Sequence, residues 1–81
     1  MINAHQQAIL RVLLHQSTDS VAIFQRVTLP KRYSDIIDEL RQLLDMGLVE
    51  THLVRINDNF LPISFWSIKG PLESMQKLLL L

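Results

Sequence analysis

Apolar residues recur at helical spacing near the start of the chain. They predict a helix over about residues 4–16, whose apolar face is formed by Ile9, Val12 and Leu13 and widened by Leu10 and Leu14. Asn3 stands where an N-cap is expected, and Gln6 follows at the position of a capping-box partner. A face this wide indicates burial in a core or in a dimer interface.

The strongest periodic signal lies between residues 34 and 46. Apolar residues recur there at helical spacing, and they are Ile36, Leu40, Leu43 and Leu44. The charged and amide side chains face the other way. Gly47 follows, and glycine readily adopts the left-handed conformation that ends many helices. The pattern therefore predicts an amphipathic helix over about 34–46 that ends at Gly47.

The stretch between these two helices fits two patterns. As a strand, it alternates apolar and other side chains between residues 21 and 29. As a helix, it groups the apolar side chains of Ile23, Phe24 and Val27. We favour a short helix over about 20–28, and the strand stays open as an alternative.

Residues 49–68 contain two runs of β-forming residues. Asn57-Asp58-Asn59 lies between them and tolerates the dihedral angles of a tight turn, so the sequence predicts a hairpin over about 49–68. Pro62 lacks an N–H group and is expected at an edge or a bulge. Phe65 and Trp66 would point to opposite faces and anchor the hairpin on the helices.

Turn-forming residues separate these elements from their neighbours. Ser17-Thr18-Asp19-Ser20 is typical of a turn that supplies helix caps. Gly70-Pro71 ends the hairpin and opens a last helix over about 71–81, with proline at the favoured first position. The chain is therefore expected to be one domain over residues 1–81, mainly α with a small β-hairpin, in the α+β class.

The order helix, helix, helix, hairpin, helix is that of a winged helix-turn-helix, and two stretches agree with it. Residues 35–50 resemble the recognition helix of bacterial regulators of the MarR, PadR and ArsR type, in which a leucine-spaced helix ends in Gly-Leu-Val/Ile and enters the wing. Residues 65–70, Phe-Trp-Ser-Ile-Lys-Gly, are similar to the second wing strand of those families. The resemblance covers nearly the whole chain from Ala4.

Composition limits the possible classes of function. The chain has 81 residues, 48% of them hydrophobic, and no cysteine, which excludes disulfides and thiolate metal sites. This hydrophobic content exceeds what one small core needs, so it predicts an apolar surface for a partner, most simply a second copy. Without a signal-peptide pattern or a membrane-spanning run, we expect a cytoplasmic location and no membrane partner.

The formal charge is balanced overall but is uneven along the chain. Eight basic and eight acidic residues give a net charge of zero, whereas nucleic-acid-binding proteins usually carry a basic surplus. The residues through Ser34 carry a net charge of +3, residues 35–58 carry −4, and the remainder carries +1.

The resemblance implies that the third helix enters the major groove of DNA and that the hairpin tip touches the backbone or the minor groove. The candidate DNA-binding residues are then Arg26, Lys31, Arg32, Tyr33, Ser34, Asp38, Arg41, Gln42, Arg55, Asn57 and Asn59. Arginine and glutamine can bond guanine and adenine bidentately, while the cations before the helix suit phosphates. The helix departs from the family pattern because Arg41 is its one basic residue, against Asp35, Asp38, Glu39 and Asp45.

The resulting hypothesis is a homodimeric winged-helix regulator of transcription that binds duplex DNA. The first and last helices would supply the dimer interface through Leu10, Leu14, Leu72, Met75, Leu78 and Leu79. The alternative is a winged-helix module that binds a protein instead, as an adaptor, an antirepressor or an assembly subunit. An acidic outer helix and a surplus of leucine suit such a partner, and the fold does not dictate the function.

No pattern in the sequence indicates an enzyme. The three histidines, His5, His15 and His52, lack the spacing of paired metal ligands. Two glycines are too few for a glycine-rich phosphate loop, and no nucleophile-elbow motif accompanies the serines. We therefore expect no catalytic residue, no metal site and no cofactor.

Overall fold

The computed structural model describes residues 2–58 and 61–80, which form four helices and a three-stranded antiparallel sheet. The elements are α1 (Ala4–His15), β1 (Thr18–Asp19), α2 (Ser20–Arg26), α3 (Tyr33–Asp45), β2 (Val49–Val54), β3 (Ile63–Ile68) and α4 (Leu72–Leu80). The predicted α+β class is confirmed, and the ambiguous stretch is a helix. Predictions that fall on Asn59, Phe60 and Leu81 lie outside the described residues.

Side-chain caps begin the first two helices. The Asn3 side chain accepts a hydrogen bond from the Gln6 backbone N–H at 2.8 Å, and the Gln6 side chain accepts one from the Asn3 N–H at 3.0 Å, which confirms the predicted capping box. Asp19 caps α2 by accepting a bond from the Ala22 N–H at 2.8 Å. Gly47 follows the end of α3 with a φ of 77°, as predicted for a glycine in the left-handed conformation.

The strand β1 was not predicted from the sequence. It pairs with β3, with Thr18 opposite Trp66 and Asp19 opposite Phe65, and gives the strand order β1-β3-β2. A two-residue strand carries no periodicity of its own, and its partner lies far along the chain. The prediction of a cap-supplying turn was therefore correct for Asp19 but missed the pairing.

The hairpin packs on the helices through one of its faces. Val49 pairs with Ile68 and Thr51 pairs with Trp66, and three of these four residues are buried. Phe65 lies on the opposite face, 6.4 Å from the His52 ring between centroids, so the predicted division between Phe65 and Trp66 is confirmed. Pro62 precedes β3 and therefore leaves the ladder intact.

A single core joins every helix to the sheet. It contains Ile9, Leu10, Leu13, Ile23, Val27, Ile36, Leu40, Leu43, Val49, Trp66, Ile68 and Met75. Helix α3 packs on α1, α2 and β2, and α4 packs on α1. Among the described residues, no helix has the length and apolar character needed to cross a membrane.

Two residues of the predicted dimer interface belong to this core. Leu10 is 0% exposed and Met75 is 5% exposed, so neither side chain is available to a second copy. The prediction was wrong for these two because the spacing of apolar residues on a helix does not distinguish a core contact from an interface contact.

Shortening a core side chain of α3 is expected to destabilise the fold. Leu40→Ala removes a side chain that is 0% exposed, and the lost contacts together with the cavity should lower the free energy of unfolding by about 2–5 kcal/mol. Urea denaturation followed by the fluorescence of Trp66 measures the change. Leu53→Ala is the matched control, since Leu53 is 69% exposed and its truncation should cost at most about 0.5 kcal/mol. Equal costs for the two variants would contradict the packing.

Removal of the α2 cap is expected to have a smaller effect. Asp19→Ala leaves the Ala22 N–H without its acceptor and should lower the free energy of unfolding by about 1 kcal/mol. Asp19→Asn keeps an acceptor oxygen at the same position and should retain most of the stability. The same denaturation experiment compares them, and a loss that is equal for both variants would show that charge rather than capping matters here.

Candidate nucleic-acid interface

The turn between α2 and α3 carries cationic side chains and is fixed to α2 by aromatic contacts. The Lys31 ammonium lies 4.8 Å from the centroid of the Phe24 ring, within the range of a cation–π contact. Tyr33 packs edge-on against the same ring at 5.8 Å, and its hydroxyl is 2.5 Å from the Ser20 hydroxyl. These contacts bind the first turn of α3 to α2 and set the position of Lys31.

Two further hydrogen bonds fix the same turn from its other side. The His5 Nε2 atom donates to the Pro30 carbonyl oxygen at 2.8 Å, which connects α1 to the turn. The Asp35 carboxylate accepts a bond from the Arg32 backbone N–H at 2.9 Å, at the start of α3. Lys31 and Arg32 are therefore presented by a segment that contacts α1, α2 and α3.

Three of the predicted phosphate-binding cations lie close together in the chain around this turn. Arg26 lies in the last turn of α2 and is exposed, Arg32 directly precedes α3 and is exposed, and Lys31 is half-buried against Phe24. Within the described residues, no acidic side chain forms an ion pair with Arg26 or Arg32. Both guanidinium groups are therefore available to an anionic partner.

The outer face of α3 is formed by four exposed polar residues. With 3.6 residues per turn they lie opposite the buried Ile36, Leu40 and Leu43, and they are Ser34, Asp38, Arg41 and Asp45. The predicted base-reading Arg41 is central in this row. The exposed Leu44 lies to one side of the row.

Gln42, unlike these four residues, forms a side-chain hydrogen bond within the protein. Its amide oxygen accepts a hydrogen bond from Gln6 Nε2 at 3.1 Å, and Gln6 is 3% exposed. A bidentate contact with adenine uses both the oxygen and the nitrogen of an amide. The predicted role of Gln42 as a base reader would therefore require this internal bond to break.

Two of the four acidic residues of α3 have partners within the protein. Asp35 accepts from the backbone at the start of the helix, where a negative charge also interacts favourably with the helix dipole. Glu39 accepts from the Asn3 side chain at 3.2 Å. Asp38 and Asp45 are the acids of the outer face that have no hydrogen-bond partner among the described residues.

The wing presents both polar and apolar side chains. Arg55 and Asn57 are exposed beyond β2, as predicted for a hairpin tip, and Asn59 lies outside the described residues. The exposed apolar residues of the wing were not predicted from the sequence; they are Leu53, Ile56 and Leu61, with exposed fractions of 69%, 63% and 87%. Leu53 continues the alternation of Val49 and Thr51 along β2, so the sequence pattern did not separate these residues from the core.

The predicted dimer residues on α4 lie on two sides of that helix. Leu79 lines a groove beside α1 together with Leu14 and Leu80, and the Arg11 guanidinium donates to the Leu79 carbonyl at 3.4 Å. Leu78 lines a different groove, beside Leu48. Leu72 is 50% exposed and Leu80 is 86% exposed, so α4 leaves apolar surface uncovered.

The residues that position the site were not predicted from the sequence. Ser20, His5 and Gln6 each contact a side chain or carbonyl of the turn or of α3 across a sequence separation of 13 or more. Such contacts leave no local pattern in the sequence. Among the described residues, no cluster of three or more His, Cys, Asp or Glu residues is arranged to hold a metal ion.

Comparison with known proteins gives structural matches at low sequence identity. No protein-family model matches the chain, and no curated protein matches its sequence. Bacillus subtilis PadR in complex with operator DNA matches with a TM-score of 0.78 and 18% identity, over 100% of this chain and 49% of PadR.

Lactococcus lactis ZitR, a zinc-responsive MarR family member, matches with a TM-score of 0.76 and 14% identity, over 95% of this chain and 50% of ZitR. Wild-type ZitR in complex with DNA matches with a TM-score of 0.73 and 16% identity, over 99% of this chain and 51% of ZitR. The chain thus spans about half the length of the solved chains that it matches. Its fold is a winged helix of the MarR and PadR type.

Proposed function

We propose that this chain is a DNA-binding regulator of transcription that acts on duplex DNA as a homodimer. The observation that carries the proposal is the cationic turn, which is fixed by Phe24, Tyr33 and His5 beside the exposed face of α3. The solved PadR and ZitR complexes with DNA support it by their shared fold. The role requires neither a catalytic group nor a cofactor.

Phosphate contacts would supply most of the affinity. Arg26, Lys31 and Arg32 surround the turn, and cations at such a position neutralise phosphates without reading sequence. Asp38 and Asp45 on the outer face oppose this attraction, since carboxylates repel phosphates. We therefore expect modest affinity for random DNA that falls steeply with salt.

Dimerisation would double the number of cations on one DNA molecule. The exposed apolar side chains of α4, with the partly buried Leu14 and Leu79, offer the surface that a second copy could bury; the exposed ones are Leu72, Leu78 and Leu80. Burial of apolar surface drives most protein association. Two turns bound to one duplex would offset the neutral net charge of each chain.

Replacement of Arg32 is expected to weaken DNA binding and its salt dependence. Fluorescence anisotropy with a random-sequence duplex, titrated between about 50 and 200 mM salt, gives the slope of log K against log salt. Arg32→Ala should reduce this slope by about 1 for each chain in the complex, and hence by about 2 for a dimer. The reason is that each lost phosphate contact releases one fewer counterion.

Lys69→Ala is the matched control, because it removes one cation at a position after β3, away from the turn. It should leave the slope unchanged. Absence of binding by the unaltered protein at about 50 mM salt, where phosphate contacts are strong, would contradict the proposed function.

A charge on the exposed end of α4 is expected to separate the dimer. Leu80→Glu places a carboxylate beside the groove of Leu14 and Leu79 and should give a monomeric mass by light scattering at micromolar concentration. Leu61→Glu introduces the same charge at an equally exposed leucine of the wing and should leave a dimer. A monomeric mass for the unaltered protein would refute the dimer.

A second candidate function is binding of a protein partner, and one observation favours it. Leu53, Ile56 and Leu61 expose apolar surface on the wing, and exposed apolar patches commonly mark protein-binding sites. The salt titration separates the two functions. DNA binding predicts affinity that depends on salt and on Arg32, whereas a protein-binding module predicts no binding of the duplex.

A further inference from the structure

The polar side chains of α3 divide into a group used inside the protein and a group that is free. Tyr33, Asp35, Glu39 and Gln42 each form a hydrogen bond with another part of the chain or with the start of the helix. Ser34, Asp38, Arg41 and Asp45 form none with the described residues. A ligand that binds the outer face of this helix would therefore contact Ser34, Asp38, Arg41 and Asp45.

Asp38 and Arg41 lie next to each other on the outer face and have complementary chemistry. They are separated by one helical turn, which places their Cβ atoms about 5–6 Å apart. An ionised aspartate only accepts hydrogen bonds, and arginine only donates them. No ion pair joins the two side chains, so each can form hydrogen bonds with a different group of a ligand.

The major groove of a G·C pair offers the partners that these two side chains need. Guanine presents two acceptors, N7 and O6, which suit a guanidinium, and cytosine presents the N4 amino donor, which suits a carboxylate. Residues three apart advance about 4.5 Å along a helix axis, which is close to the rise of about 3.4 Å per base pair. Asp38 and Arg41 would therefore face the same or neighbouring base pairs.

Adenine and thymine suit these side chains less well. Thymine O4 would repel the Asp38 carboxylate, and adenine places its N7 acceptor beside its amino group. Gln42 is the residue of this helix whose side chain suits adenine, but its amide oxygen already accepts a hydrogen bond from Gln6. The free groups of α3 thus favour guanine and cytosine.

We infer that Asp38 and Arg41 form a reading pair for a G·C step in the major groove, with Arg41 on guanine and Asp38 on the cytosine amino group. The inference rests on the proposed function and extends it to the class of target. Asp38 has a second effect, because its charge weakens binding wherever no cytosine amino group meets it. The acidic residue thus favours discrimination between sequences over affinity for DNA in general.

The first step of the test is selection of duplexes from a random-sequence library by the unaltered protein. The selected duplex is then compared by anisotropy with copies in which the G·C step carries A·T, N4-methylcytosine or 7-deazaguanine. The methyl group removes the amino hydrogen that faces the major groove, and 7-deazaguanine lacks N7. Each change is expected to weaken binding roughly 5- to 100-fold, the range of one base contact.

The variants Asp38→Asn and Asp45→Asn separate base reading from charge. Both remove one carboxylate from the exposed face and both should bind random DNA more tightly. Asp38→Asn should move the preference from cytosine to adenine, which an asparagine amide bonds bidentately. Asp45→Asn, seven residues further along the helix, should keep the preference for cytosine. Circular dichroism checks that both variants fold.

The outcomes distinguish the inference from the function on which it rests. Salt-dependent binding without a G·C preference, or with a preference that Asp38→Asn retains, overturns the inference and leaves the proposed function standing. Absence of binding to every duplex at about 50 mM salt overturns both. A preference that is lost in Asp38→Asn and kept in Asp45→Asn supports the reading pair.

Discussion

Burial of one face of α3 is the constraint on which the rest of the structure depends. Ile36, Leu40 and Leu43 are all 0% exposed and are packed between α1, α2 and β2. Because a helix is rigid, fixing three side chains inward also fixes the opposite row outward. The direction in which Asp38 and Arg41 point is therefore a consequence of core packing, and the exposed surface contributes little to setting it.

Helix α1 connects this packing to the polar edge of α3. Its N-terminal segment supplies Asn3, His5 and Gln6, which bond to Glu39, Pro30 and Gln42 respectively. These bonds use polar groups that a sequence alone would assign to solvent or to DNA. As a result, the polar groups of α3 that have no partner among the described residues are one arginine, two aspartates and a serine.

The turn before α3 differs from α4 and the wing in how much apolar surface is left exposed. The turn before α3 is bound to three helices, whereas α4 and the wing leave large apolar side chains exposed, with Leu80 at 86% and Leu61 at 87%. The chain thus has one polar surface and two apolar ones. The solved winged-helix chains that it matches are about twice as long.

The sequence by itself determined the helices, the hairpin and the fold class, because periodicity, caps and turn residues act locally. Asn3, Gln6 and Gly47 behave as their local chemistry requires. Tertiary structure alone decided the rest: that Thr18 and Asp19 join the sheet, that Leu10 and Met75 are core residues, and which polar groups of α3 are used internally. The physical reason is that these outcomes depend on residues far apart in the chain, whose distance no local pattern encodes.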